Sequence, residues 1–85
     1  MDERHETLLT FEYDTADRAT TIEASLRPEI GDIEGDRTRV SLARDSAELR
    51  VRIAAADLVA LRAGGNTWLS LVSVAERGAA SGSGQ

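Results

Sequence analysis

Apolar and polar positions along this chain switch between two periods, and each switch marks the start of an element. From His5 to Tyr13, Thr7, Leu9, Phe11 and Tyr13 alternate with Glu6, Leu8, Thr10 and Glu12. That period of two predicts a strand with one favoured face. Ala19, Ile22 and Leu26 then recur at helical spacing, while Asp17, Thr20, Glu23 and Arg27 turn away from them. Asp14 or Thr15 is placed to cap this helix by accepting its free N–H groups. Pro28 is expected to stop it, because proline disfavours helical geometry in the residue before it. Ile30 to Asp36 is rich in turn residues. Period two returns in Arg37 to Arg44 and Glu48 to Ala54, a predicted hairpin about Asp45-Ser46. One face carries Thr38, Val40, Leu42, Leu49, Val51 and Ile53; the other carries Arg39, Ser41, Ala43, Arg50 and Arg52. Such alternation belongs to an antiparallel sheet with one covered face.

The last pattern is the widest. From Asp57, a capping residue, to Glu76, helical spacing gathers Leu58, Leu61, Gly65, Trp68, Leu69 and Val72 on one side, with Leu71 and Ala75 broadening it. Arg62, Asn66, Ser70 and Ser73 share the opposite side. The apolar arc covers about half the circumference, more than the roughly 100° one core requires. Gly64 and Gly65 interrupt the run; each costs about 1 kcal/mol relative to alanine, and the adjacent pair invites a break. A glycine on an apolar face also admits a close neighbour. The helix is thus expected to be covered twice, once by its own domain and once by another chain.

The predicted order is strand, helix, strand, strand, helix: an α+β fold with a three-stranded antiparallel sheet and two helices on one face. Residues 1–77 form the single domain, and Gly78 to Gln85 is read as a flexible tail. With one Phe, one Tyr and one Trp in 85 residues, the core must be aliphatic and thin, and oligomerisation is a common remedy. No apolar run is long enough for a bilayer, and the charged start, MDERHETLL, lacks a secretory h-region. A cytoplasmic protein with no membrane partner is expected.

Charge narrows the partners. Lys+Arg total 10 against 15 Asp+Glu, a net charge of −5, and every basic residue is arginine. Acidic, lysine-free composition fits a GC-rich genome or adaptation to high salt, where acidic surfaces keep proteins in solution. It argues against a stand-alone nucleic-acid binder, which needs a basic footprint. The arginines Arg39, Arg50 and Arg52 are the exception. On one exposed sheet face they could meet phosphate, RNA or a second copy; local ion pairs with Glu6, Glu12 or Glu48 are the plainer alternative.

Catalytic chemistry is poorly served. His5 is the only histidine and cysteine is absent, so a nucleophile has no base within reach and thiolate metal sites are excluded. Gly31 and Gly35 do not make a GxxG clamp, and no phosphate loop of Walker type is present. Asp32, Glu34 and Asp36 alternate, but the twelfth position from Asp32 is Ala43 instead of the glutamate a calcium loop needs. No catalytic residue, cofactor or metal site is expected.

The segments AADLVALRAGGNTWLSLVSVAE, FEYDTADRATTIEASLRPEIG and SLARDSAELRVRIAA together resemble the small non-catalytic dimerising subunit of the KEOPS complex, in its haloarchaeal form. The resemblance runs from Thr7 to Arg77. Its strongest marks are Ser25-Leu26-Arg27-Pro28-Glu29, the run from Asp57 to Ala63, and Asn66-Thr67-Trp68-Leu69. Thr67 stands where the family often has Ser, and Gly65 where relatives commonly carry a larger apolar residue. The resemblance implies a cytoplasmic assembly that threonylcarbamoylates adenosine 37 of tRNA, with the chemistry on a separate catalytic subunit. The small subunit would form a homodimer, dock its helices on that subunit, and touch tRNA indirectly or weakly. Ile22, Leu26, Leu58, Leu61, Arg62, Gly65, Trp68, Leu69 and Val72 are the expected helical seam. An independent RNA-binding module of KH-like or ferredoxin-like shape is the alternative.

Overall fold

The structure, a computed structural model, describes residues 5–32 and 38–83, with side chains at 5–30 and 38–79. In chain order the elements are β1 (His5–Glu12), α1 (Ala16–Asp32), β2 (Thr38–Asp45), β3 (Glu48–Ala55) and α2 (Leu58–Ser83). The sheet is antiparallel in the order β1-β3-β2. Both helices pack on one face of it, α1 toward β2 and α2 toward β1 and β3. This is the expected α+β arrangement. The acidic residues Glu34 and Asp36 and most of the turn-rich stretch around them lie outside the described residues.

Alternation along the strands sets the covered face. In β1 each odd position is partly buried and each even one exposed, and in β3 Leu49, Val51 and Ile53 are fully buried. Register aligns these residues in rows: Leu9, Val51 and Leu42 face one another, as do Thr7, Ile53 and Val40. Ile22 and Leu26 of α1 and Trp68 and Val72 of α2 close over them as one cluster. Trp68 is fully buried.

Caps follow the local chemistry. Thr15 Oγ1 accepts from the Arg18 N–H at 3.1 Å, so Thr15 rather than Asp14 caps α1. Asp57 Oδ1 accepts from the Ala60 N–H at 2.8 Å at the start of α2. The β2–β3 turn places Ser46 at φ 57°. Only the first of its two central residues, Ser46 and Ala47, has positive φ, the pattern of a type II′ turn, where glycine is favoured. Ser46→Gly is therefore expected to stabilise the domain by about 1 kcal/mol, the cost of left-handed geometry for an L-residue. A raised urea midpoint at unchanged slope checks it; an unchanged or lower midpoint speaks against it.

The expectation about the end of α1 needs correction. Pro28 does not stop α1, which continues to Asp32. Only the N–H partner of the Ala24 carbonyl is lost, and since Ala24 and Pro28 are exposed, water can replace it. Ile30, four residues beyond Leu26, still packs on the core and carries the helix past the proline. Gly64 and Gly65 do not break α2, because the buried Trp68 and Val72 hold the following turns on the sheet. Finally, the segment read as a tail begins inside α2: residues 78–83 are helical, and Ala79 packs against the core cluster.

Candidate functional site

The apolar side of α2 proves wider than the core beneath it, and its residues separate into a buried stripe and two bare flanks. Trp68 and Val72 form the stripe, with Leu61, Leu71, Ala75 and Ala79 partly buried beside it. On the flank toward β1, Leu58 is 60% exposed and Leu69 48%. These two, with Leu61 and Gly65, form one wall of a groove of about 310 Å³; Thr7 and Leu9 of β1 form the other. Arg62 and Asn66 sit on its rim. On the flank toward α1, Val74 is 56% exposed. It lies with Leu71, Ala75 and Gly78 beside Ser25, Leu26 and Glu29 of α1, in a furrow between the two helices.

The nine residues expected at the seam therefore part company. Ile22, Leu26, Trp68 and Val72 are at most 1% exposed and belong to the domain's own core. They have no free area to present, because three strands and two helices offer barely enough apolar surface to bury them. Leu58, Leu61, Arg62, Gly65 and Leu69 are brought together at the groove. The adjacent glycines differ in kind. A Cβ on Gly64 would stand 3.2 Å from Ile53 Cγ2, whereas one on Gly65 would meet nothing within 4 Å. The close approach anticipated at Gly65 is thus made at Gly64, by the sheet beneath. Gly65 opens onto the groove.

The exposed sheet face is not a free basic patch. Arg50 Nε donates to Glu48 Oε1 at 2.6 Å and its guanidinium lies 3.6 Å from Asp45, while Arg52 pairs with Glu6 at 3.5 Å. Arg39, opposite Ala54 in the register, is engaged as well. Pairing of this kind leaves little unbalanced charge for phosphate.

Two polar ties fix helices to sheet. Tyr13 O–H donates to Glu76 Oε2 at 2.7 Å, joining the end of β1 to α2. Burial, the hydrogen bond and the nearby Glu76 charge together push the Tyr13 phenol far above its ordinary value. Glu23 of α1 accepts from Arg27 Nη2 at 2.5 Å and Arg44 Nε at 3.0 Å. Burial works to raise the Glu23 carboxyl, but the two guanidiniums outweigh it and hold the group below its usual range. A depressed carboxylate contributes stability near neutral pH that is lost as pH falls through its folded-state value. No group of three or more metal-binding side chains occurs among the described residues.

Sequence reasoning did not single out Leu8, Val59 or Val74, which are 49%, 76% and 56% exposed. Leu8 did leave a signal: it is an aliphatic residue on the polar phase of β1, among Glu6, Thr10 and Glu12. Tyr13 and Glu76 are 63 residues apart, and no local pattern links them.

Among known families, residues 6–79 match the model described as Transcription factor Pcc1. No curated protein matches the chain. A chain in the crystal structure of binary complex Gon7-Pcc1 has the same fold, with a TM-score of 0.80 over 91% of this chain and 94% of that one, at 17% identity.

Proposed function

The chain belongs to the Pcc1 family of non-catalytic KEOPS accessory subunits, and from that premise we propose that it is a two-sided adaptor that binds a second copy of itself and the catalytic subunit. One observation carries the reading: α2 has bare apolar residues on both flanks of its buried stripe. A monomer gains nothing from exposing Leu58, Val59, Leu69 and Val74, and contiguous exposed apolar area marks interaction surfaces. The furrow between α1 and α2 is walled by helices alone, which suits helices of the catalytic subunit laid against Leu71, Val74 and Ala75. The groove bounded by α2 and β1, with Leu58, Leu61, Arg62, Gly65 and Leu69, is left for the second copy.

In this role the subunit supports threonylcarbamoylation of adenosine 37 in tRNA in the cytoplasm without taking part in the chemistry. Any help with tRNA comes through the assembly. The arginines Arg39, Arg50 and Arg52 are left out of the proposal, since carboxylates already answer Arg50 and Arg52 and Arg39 is engaged as well. No helix among the described residues is long and apolar enough to cross a membrane.

Paired aspartate substitutions test the division. Each introduces a charge at a half-exposed position, so the fold is retained. Val74→Asp is expected to reduce capture of the catalytic subunit at least thirtyfold, taking about 2 kcal/mol for a lost apolar anchor. Leu69→Asp is expected to reduce self-association while leaving that capture intact. If both variants co-purify with the catalytic subunit as the parent does, and reconstituted tRNA modification is unchanged, the adaptor reading fails.

A further inference from the structure

Arg44 stands out of phase in β2. The covered face of that strand takes Val40 and Leu42, and Arg44 is the next position on the same face, opposite the fully buried Leu49. An aliphatic residue there would have continued the core. Arg44 instead commits its guanidinium to two bonds: Nε donates to Glu23 Oε1 of α1 and Nη1 to the Ser46 carbonyl, both at 3.0 Å. Glu23 accepts from Arg27 on its other oxygen, so the two cations do not compete. The pair is sheltered, with the Glu23 side chain 15% exposed and that of Arg44 30%. Hydrogen bonds between charged groups are the strong ones, and shelter limits their screening by salt.

This tie acts on one side of α1, and the furrow opens on the other. Glu23 and Ser25 lie about 200° apart on the helix. Glu23 meets β2, whereas Ser25 faces Leu71, Val74 and Ala75 of α2. Between these flanks α1 rests on Ile22 and Leu26, both buried in the core. A helix seated on a narrow apolar stripe can roll about it. Rolling toward α2 would cover Val74, and removing apolar area from water favours that direction. Little stands in the way: Ser25 and Ala75 are short, and a Cβ on Gly78 would meet nothing within 4 Å. The furrow nevertheless keeps about 260 Å³ open. Arg44, anchored at the turn between β2 and β3, holds α1 from the far side.

We propose that Glu23 and Arg44 are positioning residues: their pair holds α1 against β2 and so keeps the furrow wide enough for the catalytic subunit. This rests on the docking at Leu71, Val74 and Ala75 put forward above and adds what sets the width of that site. Neither residue lines the furrow itself. The pair also accounts for an arginine standing on the apolar phase of β2.

Paired leucines separate positioning from stability. Glu23→Leu with Arg44→Leu replaces a sheltered ion pair by apolar side chains, an exchange that is often neutral for stability. The urea midpoint is therefore expected to hold. Capture of the catalytic subunit is expected to weaken about tenfold, the result when the open furrow falls to about a tenth of the folded chains. The chain has no cysteine of its own. Spin labels at Ala24→Cys on α1 and Ser70→Cys on α2, both exposed, therefore read the helix spacing by double electron–electron resonance. The leucine pair should shorten it. Arg44→Lys, which keeps the charge and the reach to Glu23, should capture as the parent does. Should the leucine pair not fold, Glu23→Gln removes the charge at constant shape and carries the same two expectations. Parental capture overturns the positioning role whatever the spacing, and so does lost capture at unchanged spacing. In either case the adaptor reading stands if Val74→Asp still loses capture, and falls with it if Val74→Asp does not.

Discussion

Replacing Trp68 with alanine is expected to remove about 3–5 kcal/mol of stability, the usual cost of deleting a fully buried large aromatic side chain. Folded domains retain about 0.05–0.15 kcal/mol per residue, so the loss is a large share of the stability of 85 residues and matches the low end of that range. The reason lies in position as much as in size. Trp68 is the largest fully buried side chain, and it sits where α2 meets the rows of Leu49, Val51 and Ile53. Its indole N–H has no acceptor among the described residues, and a buried donor left unpaired carries a penalty of about 1–3 kcal/mol. Both substitutions remove that orphan, but Trp68→Phe keeps most of the ring's packing, so it should cost markedly less than the alanine variant. Urea unfolding followed by circular dichroism measures both. Equal losses for the two variants would show that the ring kept by phenylalanine recovers none of the packing.

The second large effect is a contrast between neighbours. Gly64→Val is expected to destabilise by about 2 kcal/mol, because extra atoms in a filled core force side chains and backbone to shift. Ile53 Cγ2 would lie 3.2 Å from the first added carbon, and Ile53 itself has no room to move. Gly65→Ala should do the reverse and gain up to about 1 kcal/mol in the isolated chain, since nothing lies within 4 Å and alanine favours the helix. A bulkier side chain at the same position, as in Gly65→Leu, should keep the fold and hinder self-association by filling the groove. Measurements must hold protein concentration constant, because association and apparent stability are linked. If Gly65→Ala destabilises as Gly64→Val does, α2 does not sit on the sheet as described.

How much of this was legible beforehand depends on the reach of each interaction. Strand phase in β1, β2 and β3, the cap at Asp57 and a cap at Asp14 or Thr15 are local patterns that came through in the residue spacing, and the structure chose Thr15. The helical period of α2 came through too, along with the surplus of its apolar arc. Spacing could not divide that arc. Trp68 and Leu69 are consecutive and lie 100° apart on the helix, yet one is wholly covered and the other half bare. Likewise Pro28 carries a strong local stop signal, and Ile30 overrides it by reaching the core. For the arginines of the sheet face, spacing offered a basic spot or, more plainly, ion pairs with Glu6, Glu12 or Glu48; the register set Glu48 beside Arg50 and Glu6 beside Arg52.

From the order of residues alone came the kinds of elements, their succession, the absence of catalytic equipment and the family resemblance, because these depend on periodicity and residue type within a few positions. Which apolar side chains became core and which stayed bare was decided only when α2 settled across β1 and β3. That angle and depth are set by contacts between residues far apart in the chain, such as Gly64 with Ile53 and Tyr13 with Glu76. The surface available to partners is what remains after the core is filled, so it could be known only from the packed structure.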